Sequence, residues 1–219
     1  MLTDKKREFI QFMLDAGVLR FGQFTTKSGR HSPYFINTGN YKTGAQAARL
    51  GQFYAEQIHE VCGAEFEAMF GPAYKGIPLA VSAASSLYTQ YGIDKPYFYN
   101  RKEEKDHGEG GSLIGYQPKA GDRVLIIEDV ITAGTALRET LPLVQATGAV
   151  VHDMFISVNR MEFGSDPSVK VTDEVERQYG IRVHSLINVH DLVRFLSEQP
   201  QYGDVLEDMR RYMDKYCVL

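Results

Sequence analysis

Glu128 and Asp129 are adjacent acids followed closely by two threonines and a glycine, in the run Glu-Asp-Val-Ile-Thr-Ala-Gly-Thr that spans 128–135. Two kinds of chemistry meet in such a stretch. Carboxylates accept hydrogen bonds from sugar hydroxyls, whereas the hydroxyls of Thr132 and Thr135, with backbone N–H groups where a helix starts, suit an anion. Acids beside an anion cradle make sense when they address a different part of the same ligand, and a sugar phosphate has both parts. The run Val124–Ile127 before them shows no polar alternation, the pattern of a central parallel strand covered on both faces.

Other stretches carry residue types suited to the rest of such a ligand. Gly71-Pro-Ala-Tyr-Lys-Gly76 spaces two glycines like a Walker A loop, but Ile77-Pro78 stands where Lys-Ser/Thr is required. That rejects a nucleoside triphosphatase, and with it a Walker B reading of Ile126–Asp129. Asn159-Arg160 puts a cation at the end of an apolar strand, either as half of a structural salt bridge or as a grip for an anion. Lys27 and Arg30 precede the aromatic segment Tyr34-Phe35 in what reads as a surface hairpin or as a lid over an anionic ring. The segment 101–116 has four glycines and almost no apolar anchor before Leu113, which marks a mobile loop. Three basic and three acidic side chains in Arg101–Asp106 cancel, as in a solvated linker. The functional alternative is a lid that exchanges internal pairing for a polyanionic ligand when it closes.

The elements that must position these residues follow from hydrophobic period and caps. Thr3 caps a helix with Phe9, Ile10, Met13 and Leu14 on one face and Gly17 as its stop. Val18–Phe24 alternates like a strand, and Thr43 caps a helix reaching about Val61. A βα pattern follows: strands Glu65–Phe70, Tyr97–Tyr99, Arg123–Glu128, Val150–Val158 and Arg182–Ile187, with helices Ile77–Tyr91, Thr135–Thr147, Asp173–Tyr179 and two more near the C-terminus. This predicts the α/β class, a single domain over 1–219, and a parallel sheet flanked by helices on both faces. Ligands of such sheets bind beyond the carboxyl ends of the strands.

Bulk properties narrow the class further. A net charge of −4 over 219 residues argues against nucleic-acid binding. Cys62 and Cys217 are too few for a disulfide framework, no signal peptide precedes the first helix, and the apolar stretch Ile77–Leu87 is too short for a membrane span. A cytoplasmic protein with no membrane partner is expected.

Taken together, these stretches resemble the orotate phosphoribosyltransferase family, type I phosphoribosyltransferases of pyrimidine synthesis. The run Glu128–Thr135 looks like the superfamily signature for 5-phosphoribosyl 1-diphosphate and by itself leaves the base open. Phe24–Phe35, Gly71–Gly76 and Arg101–Gly110 resemble the orotate branch, and the likeness extends from the first helix to the last. One departure is Glu128, where many members have Asp.

The resemblance implies a reaction of orotate with phosphoribosyl diphosphate to give orotidine 5′-monophosphate and diphosphate, with Mg²⁺. It implies the type I fold with a small N-terminal hood, mainly 1–40, over the base site, and a mobile catalytic loop at 101–116. The sugar phosphate falls to Glu128, Asp129, Val130, Ile131, Thr132, Ala133, Gly134, Thr135 and Ala136. Along a continuing strand adjacent side chains alternate between faces, so Glu128 and Asp129 take different jobs, Asp129 nearer the sugar. Tyr74 and Lys75 meet the diphosphate. In the family's homodimer, Lys27, Arg101, Lys102, Lys105 and His107 reach across from the neighbouring subunit, with Glu109 beside them. Lys105 is the leading catalytic residue, with Asp129 and His107. Orotate falls to the backbone of Phe35 and Ile36, to Thr132, and to Arg160, whose planar fork matches a carboxylate. The side chain of Tyr34 reads as core. Mg²⁺ is held mainly through the diphosphate ligand and water, without a dedicated protein cage. His31, His59, His152, His184 and His190 receive no role. The competing functions are a purine phosphoribosyltransferase, which needs no grip for a base carboxylate, and a non-catalytic nucleotide-binding regulator on the same fold.

Overall fold

The computed structural model describes residues 2–26, 29–102, 112–131, 134–164 and 166–218, Thr135 by its backbone alone. The Thr3 hydroxyl accepts the Lys6 N–H at 3.3 Å and starts α1 (Asp4–Asp15), whose Phe9, Ile10 and Met13 are buried. Gly17 stops the helix in the left-handed region, φ +64°. The chain then makes an antiparallel hairpin of its own, β1 (Leu19–Thr25) and β2 (His31–Ile36). Thr43 and Gln46 form a reciprocal capping box at the start of α2 (Gly44–Cys62).

From there strands and helices alternate as expected: β3 (Ala68–Phe70), α3 (Gly76–Tyr91), β4 (Tyr97–Asn100), β5 (Leu113–Gly115), β6 (Arg123–Ile127), α4 (Thr135–Gln145), β7 (Val150–Asn159), α5 (Val171–Tyr179), β8 (Arg182–Asn188), α6 (Val189–Ser197) and α7 (Gly203–Tyr216). The six strands after the hairpin form one sheet in the order β5-β4-β3-β6-β7-β8. All its pairs are parallel except β4–β5.

That exception corrects the expected loop at 101–116. Its last residues leave the loop and return as an edge strand, with Leu113, Ile114 and Gly115 opposite Asn100, Tyr99 and Phe98. The apolar pair Leu113-Ile114, with Ile114 β-branched, and an exposed edge on β4 suffice for three residues of pairing. The central strands read as apolar because both sheet faces are covered. Leu125 and Ile127 belong to a cluster with residues of α1, α2, α3, α6 and α7, whereas Val124 and Ile126 join α4 and α5 on the other face. Among the described residues, no helix is long and apolar enough to cross a membrane.

Candidate active site

The site begins where β6 ends. Parallel pairing with β7 runs on past Ile127: the Glu128 N–H donates to the Phe155 carbonyl at 2.9 Å, the Ser157 N–H donates to the Asp129 carbonyl at 2.9 Å, and Val130 bridges Val158. Two hydroxyls grip the same main chain. Tyr54 on α2 donates to the Glu128 carbonyl at 2.7 Å, and Ser157 Oγ donates to the Asp129 carbonyl at 2.6 Å. The acids are therefore fixed by their backbone before their side chains engage anything.

Both carboxyl groups are buried but held differently. Asp129 Oδ1 accepts the Val130 N–H at 2.7 Å, and its Oδ2 accepts the Thr38 hydroxyl at 2.6 Å and the Lys75 ammonium at 3.1 Å. Glu128 Oε1 accepts the Asp129 N–H at 2.9 Å. Burial, and then the charge of Asp129, push the Glu128 carboxyl up to about 8. Burial thus favours the protonated form of Glu128, while Asp129 has the cation beside it. Neighbours in sequence, the two acids thus stand in different surroundings.

Lys75 comes from the loop between β3 and α3, which backbone contact holds shut. A Cβ on Gly76 would lie 2.7 Å from Pro72 Cδ and 2.9 Å from both the Gly71 carbonyl carbon and the Ile127 oxygen, so only glycine fits. Buried Asn100, the last residue of β4, accepts the Ala73 N–H on Oδ1 at 2.8 Å and donates from Nδ2 to the Arg101 carbonyl at 3.3 Å. The loop so braced leaves Tyr74 and Lys75 exposed. Lys102 Nζ lies 5.1 Å from the Tyr74 ring centroid, within cation–π reach. The Arg101 N–H donates to the Ser112 carbonyl at 2.8 Å, which ties the two ends of the intervening segment together.

Arg160 leaves β7 next door, just beyond the bridge at Val158. Its Nη2 sits 2.8 Å from Glu162 Oε1 and 3.2 Å from the Tyr212 hydroxyl, which itself donates to Glu162. Its guanidinium carbon lies 5.1 Å from the centre of the Tyr34 ring. The salt-bridge reading of Arg160 thus holds for one nitrogen, while its buried Nε has no partner. Tyr34 is core as expected, with a buried hydroxyl that also lacks a partner. Phe35 instead turns outward and stacks on Phe24 at 5.4 Å, and Ile36 is half-buried.

The phosphoribosyl transferase domain family matches residues 37–178. Orotate phosphoribosyltransferase of Haemophilus influenzae is 49% identical over 213 residues, covering 97% of this chain and 98% of that protein. The chain belongs to the orotate phosphoribosyltransferase family. The enzyme of that name from Yersinia enterocolitica is 47% identical over the same shares. The crystal structure of orotate phosphoribosyltransferase from Francisella tularensis superposes with a TM-score of 0.86 at 35% identity, covering 96% of this chain and 99% of that one.

Of the residues expected at the site from the sequence, Tyr74, Lys75, Lys102, Glu128 and Asp129 gather at the carboxyl edge of β3, β4 and β6, and Arg160 stands at the neighbouring end of β7. Val130 and Ile131 pack half-buried against the two cores, and the polar groups they can offer a ligand are those of the backbone. Gly134 takes φ +66° at the N-cap of α4, and Ala136 is exposed in its first turn. Lys27, Lys105, His107, Glu109, Thr132 and Ala133 lie outside the described residues, as does the side chain of Thr135.

Sequence reasoning missed Thr38, which holds Asp129, and Asn100, which braces the Gly71–Gly76 loop. The polar Asn-Thr-Gly-Asn turn at 37–40, directly after an apolar strand, was the available signal for Thr38. Asn100 is a buried amide at a strand end and carried none. Glu162 and Tyr212 were missed as well.

Proposed function

We propose that this carboxyl edge transfers the 5-phosphoribosyl group from 5-phosphoribosyl 1-diphosphate to orotate, releasing diphosphate and forming orotidine 5′-monophosphate. The observation that carries the reading is the joining of Lys75 to Asp129 at 3.1 Å, which sets a leaving-group cation against a sugar acid. In the reaction the bond from the anomeric carbon to a diphosphate oxygen breaks as the bond to an orotate ring nitrogen forms, and the proton of that nitrogen leaves with the diphosphate. Positive charge grows on the ribose and negative charge on the departing diphosphate.

Asp129 accepts the ribose hydroxyls, with Glu128 behind it, and the carboxylate charge favours the cationic ring. Backbone N–H groups from Thr132 to Thr135 at the start of α4 take the 5′-phosphate. Lys75 and Tyr74 take the diphosphate, and Arg160 takes the orotate carboxylate. The backbone of Phe35 and Ile36 and the hydroxyl of Thr132 define the edge of the base. Lys102 joins Tyr74 at the diphosphate from the same chain, while Arg101, Lys105 and His107 close over it and, with Lys27, come from the second subunit of a homodimer. Lys105 supplies the transition-state contact, His107 assisting it.

Mg²⁺ favours one or two carboxylates with substrate oxygens and water. The donor set here fits that habit: the Asp129 carboxylate stands at the strand end, and diphosphate oxygens and water would complete the shell. When bound, the ion would offset the charge of the diphosphate. The free thiols of Cys62 and Cys217 suit a reducing, cytoplasmic setting.

The test is the ultraviolet loss of orotate on adding phosphoribosyl diphosphate and Mg²⁺. Turnover of adenine or hypoxanthine, with none of orotate, would replace this reading with a purine phosphoribosyltransferase.

A further inference from the structure

Glu162 lies two residues beyond Arg160, and its backbone makes an antiparallel bridge with Cys217 just past α7. Met161 between them adopts φ +54°, a conformation rare for any residue but glycine. Surrounding main chain holds it there: the Met161 carbonyl accepts the Val218 N–H at 3.0 Å, and the Phe163 N–H donates to the Tyr216 carbonyl at 3.1 Å. The turn brings Glu162 back against the side chain it has just passed.

One carboxylate then serves two guanidiniums. Glu162 Oε1 takes Arg160 at 2.8 Å, and Oε2 takes Arg30 of the hairpin at 3.3 Å. Arg30 is itself seated on the rings of Phe163 and Tyr216, 5.0 and 5.2 Å from their centres. Two cations against one anion leave this largely buried group short of one negative charge. Tyr212 bridges Arg160 and Glu162, and the Tyr34 ring backs the guanidinium, so its plane is set without substrate. The buried Nε has no partner, so Glu162 and Tyr212 do not use up the guanidinium's five donors.

We propose that Glu162, jointly with Tyr212, is a positioning residue for base recognition, acting through Arg160 to present a pre-oriented fork to a carboxylate. This rests on the reading that Arg160 receives the carboxylate of orotate. A side chain already immobilised loses less freedom when the ligand arrives.

Steady-state kinetics on three variants test it, because the sign of the effect separates positioning from mere charge. As a simple counter-ion, Glu162 would oppose an incoming anion, and Glu162→Gln would tighten orotate. As a positioning residue, its replacement raises the KM for orotate about tenfold, the weight of one charge-assisted hydrogen bond. The kcat and the KM for phosphoribosyl diphosphate stay as they were. Tyr212→Phe moves the orotate KM the same way and less far. An unchanged or lowered orotate KM in both variants overturns the proposal. Should Glu162→Gln fail to fold, as judged by thermal melting, Tyr212→Phe decides alone. Arg160→Lys distinguishes the two levels: a wild-type orotate KM there removes the parent reading. Impaired orotate binding in Arg160→Lys, beside normal Glu162→Gln and Tyr212→Phe, removes only the positioning role.

Discussion

Lys75 Nζ and Asp129 Oδ2 stand 3.1 Å apart, joining the loop after β3 to the end of β6. The lysine side chain is 57% exposed and the carboxylate 9%, so water screens the pair from one side only. A diphosphate that draws Lys75 to itself frees an Asp129 oxygen for a ribose hydroxyl. Leaving group and sugar would thus be engaged together.

Asp129→Asn keeps the shape and removes the charge. The kcat/KM for phosphoribosyl diphosphate should fall on the order of 100-fold, as when one preorganised electrostatic contact is lost. Initial rates at saturating orotate measure this, and near-normal turnover would move the sugar contact elsewhere.

Lys105→Ala should lower kcat by about 100–1000-fold while orotate affinity stays near normal. Mixing these subunits with Asp129→Asn subunits should restore activity, because one site of the mixed dimer would then hold both intact groups. Absence of recovery in verified heterodimers would assign the loop to its own subunit's site.

Glu128 should make stability fall with rising pH. Its carboxyl sits at about 8 in the folded protein against an ordinary 4.5, so the folded state binds the extra proton between these values. Stability from this group is fully present below 4.5 and is lost as pH rises through 8. Glu128→Gln should therefore gain melting temperature relative to the native chain as pH goes from 5 to 9, in ~2-unit steps of a melting series. A difference that does not vary with pH would contradict the raised value.

Gly76→Ala forces a methyl group against Pro72, Gly71 and Ile127 at the contacts given above. Overpacking of this kind costs about 1–3 kcal/mol, which denaturant melts would register. Activity should drop as well, since Tyr74 and Lys75 ride on the same loop. An unchanged midpoint would mean that the loop yields freely.

The sheet and its covering helices were legible because a strand buried on both faces writes an unbroken apolar run, and Val124–Ile127 is one. The edge strand β5 was not, since three residues at the end of a glycine-rich segment carry almost no periodic signal. The acids, the Gly71–Gly76 loop and Arg160 could be read because each is a local pattern at a strand end. Their supports could not. Thr38 meets Asp129 across 91 positions and Tyr54 meets Glu128 across 74, contacts that exist only once the layers have packed. Glu162 was hidden for another reason: proximity in sequence did not reveal that the positive φ of Met161 turns the chain back on itself.

Tyr54 and Ser157 hold the acids by their carbonyl oxygens, groups that every amino acid carries. The mount is therefore indifferent to what is mounted. A lineage can try a longer or shorter acid at position 128 while the strand end keeps its trace, which gives this part of the chain room to vary its chemistry without rebuilding its frame.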